Sequence, residues 1–369
     1  MATRRPGVKS NNKRSIINSS KKKPDLLKFK SQLQFITHFP KRNQLPDNSI
    51  LIIDKNLLQF SSVKNWLKSF SMVYPVEAGE NLKQLKSFEK HLTHILKLAE
   101  TIQSKNLTLV AIGGGSVGDF IGFIASVFKR GTPLIHIPST WLAAIDSSHG
   151  GKTALNIGTY KNQIGTFYPA QKVILCKQLL FTQPPIRTQE ALGEIIKTAL
   201  LSGGKLWREI SKESTFNSMK LWNYLPQLIA YKYRIVLADP FEKKGIRYIL
   251  NLGHTFGHTF ELYFKMPHGN AVNLGLLMAL GLSNTKNVMK PKILQNIIES
   301  PLLKNHLISQ LELMRLLKKH KNLYQLLSQD KKISQNGCIN FVYLKAPGKP
   351  VVLETRISEL SLYAKKLSE

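Results

Sequence analysis

The chain has 369 residues, 43 % of them hydrophobic, which is enough for two domains with buried cores and excludes a disordered protein. Its formal net charge is +31, and the excess is spread along the chain, so an acidic substrate explains it as well as a polynucleotide does. The two cysteines, Cys176 and Cys338, are far apart and indicate neither a disulfide framework nor a cysteine-based zinc site.

Residues 1–43 are the most basic stretch, with 12 Lys and Arg against one acidic residue, Asp25, and they predict a flexible tail. An organellar transit peptide over residues 1–23 is the alternative, although no amphipathic helix or secretory signal is evident there. The most apolar run, 107–128, is interrupted by glycines and Asp119, which excludes a plain membrane span. We therefore expect a cytoplasmic protein with neither a membrane nor a nucleic-acid partner.

From Ser49 onward, short apolar runs typical of strands alternate with longer runs typical of helices. The predicted strands cover residues 49–54, 72–79, 107–112, 133–138 and 173–176, and the predicted helices cover 57–70 and 82–105. This alternation predicts an α/β domain over residues 44–184.

The strand at 107–112 runs directly into the glycine-rich turn GGGSVGD at 113–119, which is followed by an apolar helix. Backbone N–H groups at such a helix N-terminus can bind a pyrophosphate, and the glycines allow close approach. The turn differs from the usual GxGxxG fingerprint, so a tight strand-to-helix turn without a ligand remains the alternative.

A second polar segment lies between residues 139 and 162, where glycines and apolar patches separate the polar side chains. These are Ser139, Thr140, Asp146, Lys152, Lys161 and Asn162. Their density indicates a binding segment rather than a plain loop. Residues 150–153 resemble part of a Walker loop but lack its first glycine spacing, so that type of nucleotide site is rejected.

The consecutive prolines of TQPP at 182–185 indicate a domain boundary. Beyond them the pattern is helical, apart from a strand at INFVYL (339–344). We predict an all-α C-terminal domain over residues 185–369.

The segment 247–270 carries the densest polar chemistry of this second domain. Read as a helix, it aligns Arg247, Asn251, His254 and His258 on one stripe at spacings of four, three and four residues. Gly253 and Gly257 permit another backbone to come close, and the helix is predicted to end near Pro267, just before His268.

Two histidines four residues apart with a third farther on have the spacing of metal ligands, although buried structural histidines are the alternative. Glu194 and Lys197 lie three apart in an apolar helix, where they form either an internal ion pair or part of a site. If Glu194 faces the histidine stripe, then Glu194, His254 and His268 form the ligand set of a catalytic zinc with an open position.

Taken together, these motifs resemble the 3-dehydroquinate synthases, which belong to the sugar phosphate cyclases. The resemblance covers about residues 50–350 and rests on GGGSVGD, KRG (129–131), IDSSHGGKTALN (145–156), YKNQIGTFY (160–168), TQPP, GEIIK (193–197), GIRYILNLGHTFGH (245–258), HGNAV (268–272) and QDKK (329–332). It implies a Rossmann-like NAD-binding α/β domain, a helical metal-binding domain and a homodimer.

Carried over residue by residue, the resemblance assigns Glu194, His254 and His268 to zinc or cobalt. It assigns NAD contacts to Asp54, Asn56, Glu80, Lys83, Gly114, Gly115, Asp119, Ser139, Thr140, Lys161 and Thr182. It assigns substrate contacts to Asp146, Lys152, Asn162, Lys197, Arg247, Asn251, His258, Lys331 or Lys332, and to Arg130 from the other subunit. The reaction implied is conversion of 3-deoxy-D-arabino-heptulosonate 7-phosphate to 3-dehydroquinate and phosphate.

Some positions depart from the family pattern. The Lys expected fourteen residues before Arg247 is replaced by Tyr233, with Lys232 and Arg234 beside it. This predicts weakened recognition of the substrate carboxylate. It also predicts that Tyr233→Lys lowers the KM for the heptulosonate phosphate. Further departures are Asp239-Pro240, Asn270 and Ile186-Arg187. The alternatives are a cyclase acting on a carboxylate-free sugar phosphate, a polyol dehydrogenase and a non-catalytic basic scaffold.

Overall fold

The structure is a computed structural model that describes residues 30–102, 107–306, 315, 317–318, 326–327, 334 and 336–368. The strands are β1 (Gln32–Ile36), β2 (Ser49–Asp54), β3 (Val73–Val76), β4 (Thr108–Gly113), β5 (Leu134–Pro138), β6 (Lys152–Ile157), β7 (Tyr160–Phe167), β8 (Lys172–Cys176), β9 (Cys338–Leu344) and β10 (Pro350–Arg356). The first helices are α1 (Ser61–Leu67), α2 (Leu85–Glu100), α3 (Gly115–Val127), α4 (Trp141–Ile145), α5 (Lys177–Leu180) and α6 (Pro185–Glu190). They are followed by α7 (Leu192–Ser202), α8 (Gly204–Ile210), α9 (Ser218–Ala238), α10 (His254–Tyr263), α11 (His268–Thr285), α12 (Pro291–Ile298), α13 (Pro301–His306) and α14 (Ile357–Ser368).

A six-stranded sheet with the order β1-β8-β5-β4-β2-β3 forms the N-terminal part, and its neighbouring strands are parallel. Strand β2 shows why the sheet is covered on both sides. Ile50 and Ile52 enter one apolar cluster, while Leu51 and Ile53 enter the other, as the two-residue period of a strand requires. The predicted α/β fold is therefore confirmed, and the strand order changes direction between β2 and β4.

Residues 32–36 correct the predicted extent of the basic tail. They form β1, which pairs with β8 from Gln32 opposite Lys172 to Ile36 opposite Cys176. The strand was not recognised because it directly follows a Lys-rich stretch and its partner lies far along the chain. The α/β domain therefore begins before residue 44.

The C-terminal part is mainly helical, but the prediction of an all-α domain is wrong. Strands β9 and β10 form an antiparallel hairpin in which Leu344 lies opposite Pro350. β9 contains the strand predicted at 339–344. Ile339 and Phe341 are buried in the same apolar cluster as Phe256 of α10, so the hairpin packs on the helices. The boundary predicted at 184/185 coincides with the start of α6 and stays a prediction.

Within the described part of the chain, no helix combines the length and the apolar character needed to cross a membrane.

Candidate active site

Glu194, His254 and His268 form the centre of the site. Glu194 Oε1 lies 3.3 Å from His254 Nε2 and 3.4 Å from His268 Nε2. One possible ligand atom from each of the three side chains lies within 4.8 Å of those of the other two. A carboxylate and two imidazoles at this separation fit the donor set of a catalytic zinc with an open position.

Close backbone contacts at glycines bring these ligands together. A Cβ on Gly193 would lie 2.3 Å from the carbonyl oxygen of Gly269, so the N-termini of α7 and α11 can meet only because both residues lack side chains. A Cβ on Gly275 would lie 1.9 Å from the carbonyl oxygen of Gly253. The first contact positions Glu194 beside His268, and the second brings His254 to the same place.

The predicted continuous helix through Arg247 and His258 is wrong. Residues Ile246–Asn251 form a 3₁₀ helix, Leu252 leaves the helical conformation with ψ 123°, and Gly253 has φ +78°, after which α10 begins at His254. The left-handed backbone at Gly253 breaks the helix because α11 packs directly against this turn. The four polar residues therefore reach the site from two short helices rather than from one stripe.

Glu194 is held as an anion in this centre. Burial alone would raise the pKa of Glu194, but the ion pair with Lys197 and the hydrogen bonds with both histidines hold it well below its usual range. Burial also lowers the pKa of His254. For His268 the effect of burial is outweighed by Glu194 and Glu261, which raise its pKa to about 10. A buried anionic carboxylate among imidazoles is the environment that a metal cation would complete.

His258 lies next to this centre, with its ring 5.2 Å from that of His254 and 6.4 Å from that of His268. Asn251 is half-buried at the end of the 3₁₀ helix, three residues before His254. His258 therefore lies beside the candidate metal ligands, and Asn251 precedes one of them in sequence.

Lys232 enters the site from α9. Its Nζ donates to Asp146 Oδ1 at 2.5 Å and to the Asp146 carbonyl at 2.6 Å. Burial would raise the pKa of Asp146, but the ammonium of Lys232 outweighs it and lowers that pKa. Tyr233 makes a different contact, since its ring lies 5.2 Å from that of His149, and Arg234 is exposed.

Arg247 is buried, and its guanidinium is held in three directions. Nη1 donates to the Pro240 carbonyl and Nη2 to the Gly150 carbonyl, each at 3.1 Å. Nε lies 3.2 Å from Glu242 Oε1, which also forms an ion pair with Lys152. Glu242 thus joins two cations, Arg247 and Lys152, that the family resemblance assigned to the substrate.

The hairpin β6–β7 connects these groups to the glycine-rich turn. Lys83 Nζ donates to Asn162 Oδ1 at 2.6 Å and to Asp119 Oδ2 at 2.7 Å. Asn162 has φ +53°, and its N–H donates to Asn156 Oδ1 at 2.8 Å, while Asn156 Nδ2 donates to Glu80 Oε2 at 2.7 Å. Four predicted residues therefore meet around the buried Asn156, which sequence analysis did not select.

The remaining predicted NAD residues follow the carboxyl ends of neighbouring parallel strands, where open α/β sheets bind ligands. Asp54 ends β2, and its side chain accepts from the Asn56 N–H at 2.9 Å. Gly114 caps α3 after β4, Thr140 caps α4 after β5, and Thr182 follows α5 after β8. Gly115 lies in the turn after β4 and Ser139 in the turn after β5. A Cβ added to Gly115 would lie 3.3 Å from Ser147 Oγ.

Other predicted residues are placed differently. Arg130 lies past the C-terminal end of α3, about 20 Å along that helix from the glycine-rich turn, and has φ +64°. Lys161 lies on β7 with its ammonium 3.3 Å from Glu261 Oε1, rather than beside the strand ends. Lys331 and Lys332 lie outside the described residues.

Sequence analysis missed Glu242, Glu261 and Asn156. Glu261 left a signal, because it lies three residues after His258 on the same face of α10. Glu242 left none, since its pairing depends on how residues 239–246 fold. Asp239, one of the residues that depart from the family pattern, organises this loop. Its carboxylate accepts from the N–H groups of Lys243 and Lys244 at 2.9 and 3.0 Å.

Two family models match the chain and together cover most of it. The model of the 3-dehydroquinate synthase N-terminal domain matches residues 73–190, and that of the C-terminal domain matches residues 191–333. A 3-dehydroquinate synthase of Latilactobacillus sakei is 34 % identical over 301 residues, which covers 79 % of this chain and 80 % of the relative.

Solved structures share the fold. A 2-deoxy-scyllo-inosose synthase complexed with carbaglucose-6-phosphate, NAD+ and Co2+ has a TM-score of 0.75 at 22 % identity, covering 90 % of this chain and 96 % of the other. The 2-epi-5-epi-valiolone synthase of Streptomyces hygroscopicus, with NAD+ and Zn2+ bound, has a TM-score of 0.75 at 18 % identity, covering 92 % and 97 %. With both family domains matched in order, the chain belongs to the 3-dehydroquinate synthase family.

Proposed function

We propose that the protein converts 3-deoxy-D-arabino-heptulosonate 7-phosphate to 3-dehydroquinate and phosphate. The observation that carries this proposal is the position of the Glu194, His254 and His268 centre beside buried cations that fit an acidic substrate. Family membership agrees with it, since the relative that covers 79 % of this chain is named a 3-dehydroquinate synthase.

Recognition of the substrate carboxylate falls to Arg247 and Lys232. Two of the five guanidinium N–H donors of Arg247 are hydrogen-bonded to backbone carbonyls, which fixes the plane of the group and leaves donors for a carboxylate. Lys232 uses two of its three donors on Asp146. A cyclase acting on a carboxylate-free sugar phosphate would gain nothing from these two desolvated cations.

The phosphate of the substrate would bind to Lys152 and Asn162, with Glu242 yielding Lys152 to the incoming anion. Both residues lie on the β6–β7 hairpin. Arg247 contacts the chain just before this hairpin, because its Nη2 donates to the Gly150 carbonyl. Arg130 is proposed to act from a second subunit, because it lies at the far end of α3 from the glycine-rich turn in its own chain. This makes a homodimer part of the proposal.

The cofactors we assign are NAD and a zinc or cobalt ion, as in the related cyclase structures. When bound, NAD supplies a reversible hydride acceptor and the metal ion polarises the substrate hydroxyl that is oxidised. Gly114 and Gly115 at the N-terminus of α3 would hold the pyrophosphate by backbone N–H groups. Asp146, Lys197 and His258 would surround the substrate hydroxyls and neutralise charge that develops on them.

A substrate panel tests the proposal. Purified protein with NAD and zinc should release inorganic phosphate from the heptulosonate phosphate and form 3-dehydroquinate. Sedoheptulose 7-phosphate and glucose 6-phosphate, which lack the carboxylate, should give at least tenfold lower kcat/KM, in line with the loss of a charged hydrogen bond. Turnover of only a carboxylate-free substrate would assign the protein to another cyclase activity, and no turnover of any would favour a non-catalytic scaffold.

A further inference from the structure

Glu261 connects a candidate metal ligand to the hairpin of the α/β domain. It lies on α10, seven residues after His254 and three after His258, so all three face the same side of the helix. One carboxylate oxygen, Oε2, lies 2.9 Å from His268 Nδ1, and the other, Oε1, lies 3.3 Å from Lys161 Nζ. The side chain is 25 % exposed, so these contacts are partly shielded from water.

The first contact determines which nitrogen of His268 can bind a metal. An ionised carboxylate only accepts hydrogen bonds, so Nδ1 of His268 carries the proton and donates to Glu261. A metal ion would therefore bind at Nε2, where it would replace the proton that His268 shares with Glu194 Oε1 at 3.4 Å. Hydrogen bonding to a carboxylate fixes the orientation of the ring and increases the basicity of the ligating nitrogen.

The second contact holds the carboxylate itself in place. Lys161 belongs to β7, whereas Glu261 belongs to the helical part, so the ion pair crosses from one part of the fold to the other. Asn162, the next residue on β7, accepts from Lys83, which in turn pairs with Asp119 of α3. A connected set of contacts thus runs from His268 to the helix that follows the glycine-rich turn.

We infer that Glu261 is a positioning residue for the metal centre, holding His268 in the Nδ1–H tautomer while Lys161 fixes the Glu261 carboxylate. The inference rests on the metal site of the proposed function. It assigns Glu261 no contact with the substrate, so its effect appears in metal binding before any turnover.

The test is a competitive zinc titration of full-length protein against a chromogenic chelator, without substrate. We expect Glu261→Ala to weaken zinc binding about 10- to 100-fold and Glu261→Gln to weaken it less, because the amide oxygen still accepts from Nδ1 but carries no charge. Lys161→Met should have the smallest effect of the three. Glu213→Gln is the matched control, since that carboxylate is 24 % exposed and pairs with Lys220 elsewhere, and it should leave zinc binding unchanged.

A second readout separates positioning from a general structural effect. The visible absorption of the cobalt-loaded protein reports ligand geometry, and we expect its bands to shift in Glu261→Gln but not in Glu213→Gln. The isosteric Gln variant also limits the risk of misfolding, which thermal unfolding of the metal-free proteins checks. Zinc affinity and cobalt spectra equal to wild type in the Glu261 variants would overturn the inference and leave the proposed function standing. Absence of zinc binding by the wild type would overturn both the metal assignment and this inference.

Discussion

The ammonium of Lys232 donates to both the carboxylate and the backbone carbonyl of Asp146, at 2.5 and 2.6 Å. This contact places the buried ammonium of Lys232 beside Asp146. Lys232 is the residue just before Tyr233, which stands where the family pattern has a lysine. We expect Lys232→Met to lower kcat/KM for the heptulosonate phosphate about ten- to a hundredfold, as the loss of a charged hydrogen bond implies. The exposed neighbour Arg234→Met should remain near wild type in the same steady-state assay. Equal activity of Lys232→Met and wild type would show that Lys232 has only a structural role.

The expectation for Tyr233 changes as a result. Its side chain is 7 % exposed and packs against His149, so Tyr233→Lys would bury a second ammonium instead of filling an empty position. We expect this substitution to lower the free energy of unfolding by about 3 kcal/mol or more, as loss of a large buried ring does. Tyr233→Phe retains the ring and should lose much less in the same urea titration. A fall in KM for Tyr233→Lys without loss of stability would restore the original interpretation.

Two N-terminal truncations separate the basic tail from the first strand. Removal of residues 1–29 should leave NAD-dependent turnover within a few fold, because that stretch has a solvated composition and contains no motif of the site. Removal of residues 1–36 takes away β1 and leaves β8 with an unpaired edge. We expect the shorter protein to aggregate or to unfold at lower urea concentration. Full activity of both truncations would mean that β1 is dispensable, as the predicted tail boundary implied.

Stability should fall in acid partly because of His136. This histidine is buried in β5, and burial lowers its pKa from 6.5 to about 4. Between these two pH values the unfolded chain binds more protons than the folded one, so the free energy of unfolding decreases as the pH falls from 6.5 towards 4. His136→Gln should reduce this slope by up to about 1.4 kcal/mol per pH unit in urea titrations. The exposed His38→Gln is the control, and an unchanged slope in His136→Gln would contradict the prediction.

The parts of the fold that sequence patterns predicted are those decided locally. The apolar run of β2 and the glycine-rich turn after β4 carry their structure in adjacent residues, and the structure confirms both elements. The proximity of Glu194, His254 and His268 was likewise suggested by the sequence, because a carboxylate and two imidazoles in apolar surroundings are the donor set of a catalytic zinc; their role as metal ligands stays a prediction.

The features that were missed depend on contacts between distant segments. The break at Gly253 follows from the approach of Gly275 on α11, and a continuous helix is otherwise compatible with the local sequence. The pairing of Glu242 with Lys152 and Arg247 depends on the loop that Asp239 organises. Lys232, rather than Tyr233, is identified as the residue of the site by its contact with Asp146, which lies in another part of the chain. Spacing along one segment does not contain this information.

Zinc content measured by elemental analysis tests the central claim most directly. Wild-type protein should hold about one zinc ion per chain, and His254→Ala should hold close to none, because it removes one of three protein ligands. His91→Ala is the control, as this half-buried histidine of α2 bonds to Tyr74 of β3 and is not among the candidate metal ligands, and this variant should retain the metal. The predicted result is loss of zinc in His254→Ala and retention of zinc in His91→Ala. Full zinc retention in that variant would contradict the account and make the histidines of this site structural.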